Sequence, residues 1–292
     1  MFVFFLKRLA QIAALYARRL VWFFNPILSL FGVKLRGKGF DEKQPMNFPG
    51  LLTMVMIWLR LISRPDLLLQ VREVRQILAK QRAKKLITVK NVKKFNGSDD
   101  KVAANTLQYN LKGASSAADL DRPSIMFDVV SGIERVWKNC ANLDVLSIGP
   151  RSEIEIFGLI GAGFDVNRIR AVDLFSYSPY VDIGDMHNLP YPDNSFDMVF
   201  LGWVLSYSVD QKQVARELLR VCRDSGIIVI AGDYSDASKD DGLFNNTTTH
   251  MQSTGQLLGL FEGNVGQVYF THEPSPPDVA MVMTVFEVRK SE

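Results

Sequence analysis

"VLSIGPRSE", Val145–Glu153, joins a short apolar run to a glycine and then to polar residues that can open a helix. The run suits a buried parallel strand, and a glycine at its end suits the turn that begins a nucleotide-binding α/β unit. Pro150 and Arg151 stand where further glycines would allow a ligand its closest approach to the backbone. The turn therefore has the outline of a cofactor loop with altered chemistry. Ser152 with Glu155 three residues on makes a capping-box pattern, which predicts a helix from there toward Gly161 and Gly163.

Moving outward, "SIMFDVVSGIERVWKN" before this turn carries apolar residues at helical spacing. After it, "IRAVDLF" reads as a second strand, "YVDIGDMHNLPY" as a short third strand and a turn, and "FDMVFLGW" as a fourth strand. "DQKQVARELLRVCR" reads as an amphipathic helix and "GIIVIAGDY" as a fifth strand. Strand and helix alternate, which predicts a doubly wound, Rossmann-like parallel sheet. "GQVYF" and "VAMVMTVFEV", joined by "THEPSPPD", are too close for a crossover helix, so the last strand should enter antiparallel.

In such a sheet the ligand lies over the carboxyl ends of the strands, where the strand order reverses. The residues just past the strands are Gly149, Pro150, Arg151 and Ser152, then Asp173, then Asp185 and Met186, then Trp203 and Tyr207, then Asp233. Asp173 follows Gly149 by 24 residues, the spacing at which an acid meets a ribose diol.

"GDMHNLPYPDNSFDMVFLGWVLSYSVD", Gly184–Asp210, and the "ARELLRVCRDSGIIVIAGDY" that follows resemble class I S-adenosylmethionine-dependent methyltransferases, especially the branch acting on quinones, sterols and other small molecules. The resemblance covers about residues 125–290 and implies a seven-stranded methyltransferase sheet. It implies that Asp173 binds the ribose, that Asp185 and Met186 bind the adenine, and that Gly149 opens the loop beside the methionine part. Ser147 stands where the family usually has an acidic strand residue, and Pro150 and Arg151 where it has further glycines.

Arg151 adds a fixed cation beside a helix start, where an anion is favoured. The methionyl carboxylate and an acidic group on the acceptor are both candidates, as is a pairing with Glu153, Glu155 or Asp173. His187 is the candidate base, with a hydrogen-bonding turn residue as its plainer role. Trp203 and Tyr207 are candidates for lining the acceptor pocket, and Trp203 is equally suited to the core. These assignments imply a methyltransferase that uses S-adenosyl-L-methionine on a lipid-linked, glycan or other small acceptor. The departures at 147, 150 and 151 leave open a catalytically altered, methyltransferase-like binding or scaffold subunit.

The chain is 292 residues long, 47% apolar and 22% charged, and its net charge of +3 is unevenly spread. Residues 1–94 hold 19 Lys/Arg against 4 Asp/Glu, a net of +15, leaving 15 against 27, a net of −12, for the rest. Three regions follow: a basic amphipathic helical region over 1–94, a polar connector over 95–124, and the sheet domain over 125–292. Lys7, Arg8, Arg18 and Arg19 interrupt the first apolar stretch before it reaches the roughly 20 residues that a spanning helix needs. On a helix these residues share one polar arc, so residues 1–35 are expected to lie on an anionic membrane surface, with Trp22 at the boundary. The plainer reading is that the basic helices pack on the main domain and expose a solvated face.

No nucleic-acid-binding pattern is present, and the basic residues sit among bulky apolar ones, which argues against nucleic acid. Two cysteines, neither in a ligand pattern, give no support to a disulfide scaffold or a metal site. The expected location is cytoplasmic and peripheral to the membrane.

Overall fold

The computed structural model describes residues 60, 63–87, 92–95, 122–234, 251–275 and 281–290. All fall in the unit Arg60–Glu292. The expected membrane-surface stretch 1–35 and most of the connector lie outside the described residues.

In chain order, α1 (Arg72–Leu86) follows a 3-10 turn at Pro65–Gln70, and β1 is the two-residue Lys93–Lys94. Then come α2 (Ser124–Ser131), α3 (Glu134–Asn139), β2 (Val145–Ile148), α4 (Ile154–Gly161), β3 (Ile169–Asp173), β4 (Phe175–Ser176) and β5 (Val181–Ile183). The remainder is β6 (Phe196–Gly202), α5 (Gln211–Val221), β7 (Cys222–Asp233), α6 (Thr254–Gly259), β8 (Val265–His272) and β9 (Met281–Val288).

One sheet of seven strands runs β5-β3-β2-β6-β7-β9-β8. Its first five strands are parallel, and β9 runs antiparallel to both neighbours. The expected doubly wound sheet with an antiparallel last strand is therefore the observed one. Strand order reverses between β2 and β6, which places the switch point at Gly149 and Gly202.

The period-two alternation of the strands sorts the core onto two faces. Leu146, Val199, Leu201 and Ile228 pack with Val214 and Leu218 of α5, while Val145, Met198, Phe200 and Val229 pack with α2 and α4. Asp210 caps α5 by accepting from Gln213 N at 2.9 Å, which aims Val214, Leu218 and Val221 at the sheet.

The helical spacing over Ser124–Asn139 is realised as two helices, because Gly132 ends α2 and the chain restarts at Glu134. One local expectation is corrected. The Ser152/Glu155 capping box does not form: α4 begins at Ile154 without a side-chain cap. Glu155 is buried, and its carboxylate accepts from the Ser147 hydroxyl at 2.5 Å instead of from a backbone N–H. A buried carboxylate takes the partner that its depth allows.

The described part of the basic region packs on α4. Ala79 sits with Ile154 and Phe157, and Ala83 with Phe175 and Tyr177. These alanines are one helical turn apart on α1 and fully buried, and their small size lets the helix come close. Gly161 serves the same approach, since a Cβ there would lie 2.4 Å from the Leu69 carbonyl oxygen.

Gly161→Ala is expected to lower the unfolding free energy by about 1–3 kcal/mol through this backbone clash, outweighing the small gain in helix propensity. An unchanged denaturant midpoint would show that the 65–70 segment is not held that tightly.

Candidate cofactor site

The site grows from the turn after β2. Gly149 has φ +70 and donates its N–H to the Val172 carbonyl at 2.8 Å. A Cβ at this position would also lie 2.4 Å from a methyl of Val204, so glycine is required twice over. Arg151 follows at φ +30, a left-handed conformation that costs a non-glycine residue energy. Beneath this turn, Ser147 and Glu155 form the buried pair described above. The carboxylate missing from position 147 is thus brought to it from α4, eight residues on.

Asp173 ends β3 beside this turn and is 7% exposed. Its Oδ1 accepts from Phe175 N at 3.3 Å, while its Oδ2 is buried with no partner among the described residues. Burial pushes the carboxyl up to about 6, against the opposing pull of the Phe175, Leu174 and Arg151 backbone N–H groups and the Arg151 charge. Arg151 and Asp173 are therefore neighbours, as one of the sequence readings of Arg151 required. Pro150, Arg151, Asp173 and Tyr177 border a crevice of about 10 Å3, room for one water.

The turn after β5 holds a second group. Asp185 Oδ1 accepts from His187 N at 2.9 Å and contacts His187 Nδ1 at 2.6 Å. His187 Nε2 lies 2.8 Å from the hydroxyl of Ser208, which is fully buried. Burial raises the Asp185 pKa, but the His187 ring, backbone N–H and charge outweigh it and hold the carboxyl below its ordinary value. Both imidazole nitrogens are thus engaged, an arrangement that fits the hydrogen-bonding turn role the sequence also offered for His187. The ring buttresses Asp185 and ties the turn after β5 to the one after β6. Met186 is partly buried against the core.

The third group follows β6 and β7. Trp203 has φ +56, and its indole N–H donates to Asp233 Oδ1 at 3.0 Å. Arg122 pairs with Asp233 Oδ2 at 2.9 Å and stands over the indole, 6.0 Å from its centroid. Trp203 also packs on the core, in line with the plainer of its two sequence readings. Tyr207, in a short 3-10 turn over Leu205–Tyr207, is half-buried nearby in the chain. The structure thus sets all of these residues at the carboxyl edge of adjacent strands.

Two supports were not assigned that role in the sequence. Glu217 and Arg220 of α5 clamp the segment after His187. Glu217 Oε2 accepts from Leu189 N at 2.7 Å, and Arg220 donates to the carbonyls of Leu189 at 2.9 Å and Tyr191 at 2.7 Å. Their three-residue spacing was the available signal. Glu153 is the other: it is fully buried and paired with Arg82 of α1, which no local pattern reveals.

A carboxyl whose folded-state pKa lies above its unfolded value favours the native state at low pH and disfavours it once ionised. Moving Asp173 from 3.8 to about 6 costs the ligand-free domain up to about 3 kcal/mol above pH 6. Asp173→Asn is therefore expected to raise the melting temperature at pH 8, with the gain shrinking between pH 6 and 4. A gain independent of pH would contradict the buried-charge account.

A family model described as "Methyltransferase domain" matches residues 167–230. The chain is 32% identical over 110 residues to demethylmenaquinone methyltransferase of Desulfitobacterium hafniense, covering 36% of this chain and 40% of that protein. It is 26% identical over 107 residues to the ubiquinone/menaquinone biosynthesis C-methyltransferase of Hahella chejuensis, covering 36% and 41%. The chain thus spans about two fifths of the length of these relatives. Among solved structures, a Haloferax volcanii methyltransferase in complex with the Trm112 methyltransferase activator has a TM-score of 0.50 at 13% identity, over 66% of this chain and 99% of that one. That likeness concerns the fold. Residues 167–230 thus match a methyltransferase-domain model, and the seven-stranded sheet around them has the fold of the Haloferax volcanii methyltransferase.

Proposed function

We propose that this chain is a methyltransferase that uses S-adenosyl-L-methionine on a small, lipid-linked acceptor at a membrane surface. The observation that carries the cofactor reading is the buried, unpartnered Oδ2 of Asp173 beside the Gly149 turn. An orphaned buried carboxylate oxygen is costly by itself, and ribose hydroxyls are the donors it lacks.

The residues present suit the nucleoside end of the cofactor. Asp173 would accept from the ribose, Asp185 would accept from the exocyclic amine, and Met186 would face the purine. Arg151, at the start of α4, suits the methionyl carboxylate. When bound, the cofactor supplies a methyl group already activated on a sulfonium. What the chain adds is positioning, which accounts for most of the rate gain in such a transfer. His187 and Ser208 hold Asp185 in place, and Glu217 with Arg220 fix the following segment. Trp203, held by Asp233 and Arg122, and Tyr207 stand on the acceptor side. The quinone substrates named for the two relatives favour a flat, lipid-borne acceptor.

The narrow crevice at Pro150–Arg151 and the engaged nitrogens of His187 favour a second reading, a methyltransferase-like binding subunit with altered catalysis. Cofactor titration and methyl-transfer assays separate the two, because the second reading allows binding without turnover.

The wild-type chain is expected to bind S-adenosylhomocysteine in a calorimetric titration, and Asp173→Ala to lose that binding while remaining folded. Affinity should rise with pH through about 6 and level off above 7, because the ionised carboxylate is the form that accepts from both hydroxyls. No binding by the wild type at millimolar ligand would sink the cofactor reading.

The membrane part rests on the basic, apolar composition of residues 1–35. Among the described residues, no helix is long and apolar enough to cross a membrane. Deleting residues 1–40 should release the chain from anionic liposomes, and undiminished co-sedimentation would refute the interfacial helix.

A further inference from the structure

We infer that Arg82 of the basic helix α1 is a positioning residue for the cofactor turn, so that this helix forms part of the cofactor site. The inference rests on the cofactor reading above and names a residue outside the sheet domain's own motifs.

Glu153 is the residue that joins the Gly149–Ser152 turn to α4, and its side chain is fully buried. Arg82 meets its carboxylate with two donors, Nε to Oε2 at 2.5 Å and Nη2 to Oε1 at 2.9 Å. The hydroxyl of Ser178 donates to Oε1 at 2.7 Å, and Glu153 N donates to the Tyr177 hydroxyl at 3.4 Å. The Arg82 guanidinium also stands 5.7 Å from the centre of the Tyr180 ring. Glu153 thereby ties the turn after β2 to the segment after β3, and these are the two walls that carry Arg151 and Asp173. Arg82 is the cation in this network, and its charge holds the network together.

A buried carboxylate that loses its cation must protonate or turn out to solvent. Turning out means moving residue 153, and Arg151 lies two residues away in an already strained conformation. The geometry of the turn therefore depends on a helix 71 residues earlier in the chain. Arg82 is one-third exposed at its side chain, so it can leave the pair without being trapped in the core, whereas Glu153 cannot. The asymmetry makes α1 docking the controlling step.

The test uses the full chain with S-adenosylhomocysteine as the probe, in Arg82→Ala, Glu153→Gln and the double variant. Arg82→Ala is expected to weaken binding about tenfold or more, measured where circular dichroism shows the variant folded, and to lower the ligand-free melting temperature. Glu153→Gln is expected to weaken binding as well, though less, because the amide keeps the Ser178 partner and loses the ion pair. In the double variant the uncompensated charge is gone, so the melting temperature should recover while affinity stays weakened, a split that a merely structural role would not give.

Wild-type affinity in Arg82→Ala would overturn the inference, as would a double variant that regains both stability and wild-type affinity. If Arg82→Ala does not fold, the double variant alone decides: folding with affinity weakened about tenfold or more supports the inference, and any other result overturns it. Failure of the wild type to bind the probe is a distinct outcome, which removes the cofactor reading and this inference with it.

Discussion

Three carboxylates, Glu153, Glu155 and Asp173, are buried around one turn, and the arrangement of the site follows from how each charge is met. Glu155 takes the hydroxyl of Ser147, Glu153 takes the guanidinium of Arg82, and Asp173 is left with one oxygen unpartnered among the described residues. A desolvated carboxylate is expensive, so one ion-paired, one hydroxyl-bonded and one half-partnered carboxylate form a graded set. The first two brace the walls of the turn, and the third has an oxygen left for a ligand. The altered letters of the turn thereby acquire a physical account. The carboxylate beneath the turn comes from α4, and the glycine-poor loop is held from outside by a basic helix.

A similar division of labour runs through the turn after β5. Asp185 is held below its ordinary carboxylate range by His187, whose other nitrogen reaches the buried Ser208. Glu217 and Arg220 anchor the chain that follows. Asp185 thus sits in a turn that is stapled to α5 and to the turn after β6, so its direction is set by the fold. Under the proposed function such preorganisation matters, because the donor is already activated and the rate depends on alignment.

Much of this was legible in the sequence, for identifiable reasons. The sheet class follows from periodicities of two and 3.6, which are local properties of the chain. The positions of Gly149, Asp173, Asp185 and Trp203 follow from the rule that ligands meet the carboxyl ends of parallel strands. The capping box failed because the pattern presumes a solvent-facing first turn, while Glu155 points into the interior. His187 was read as a base or as a hydrogen-bonding turn residue, and proximity to the site mouth says nothing about which partners its nitrogens find. Trp203 was read both as core and as pocket wall, and the structure packs it on the core while its indole N–H is spent on Asp233.

The sequence by itself determined the doubly wound sheet, its antiparallel final strand and the carboxyl-edge placement of the candidate site, because each depends on patterns a few residues long. Tertiary structure decided which charges are paired. Arg82 with Glu153, Leu189 with Glu217 and Trp203 with Asp233 are separated by 71, 28 and 30 residues. Burial sets the strength of such pairs, and burial exists only once distant segments have packed.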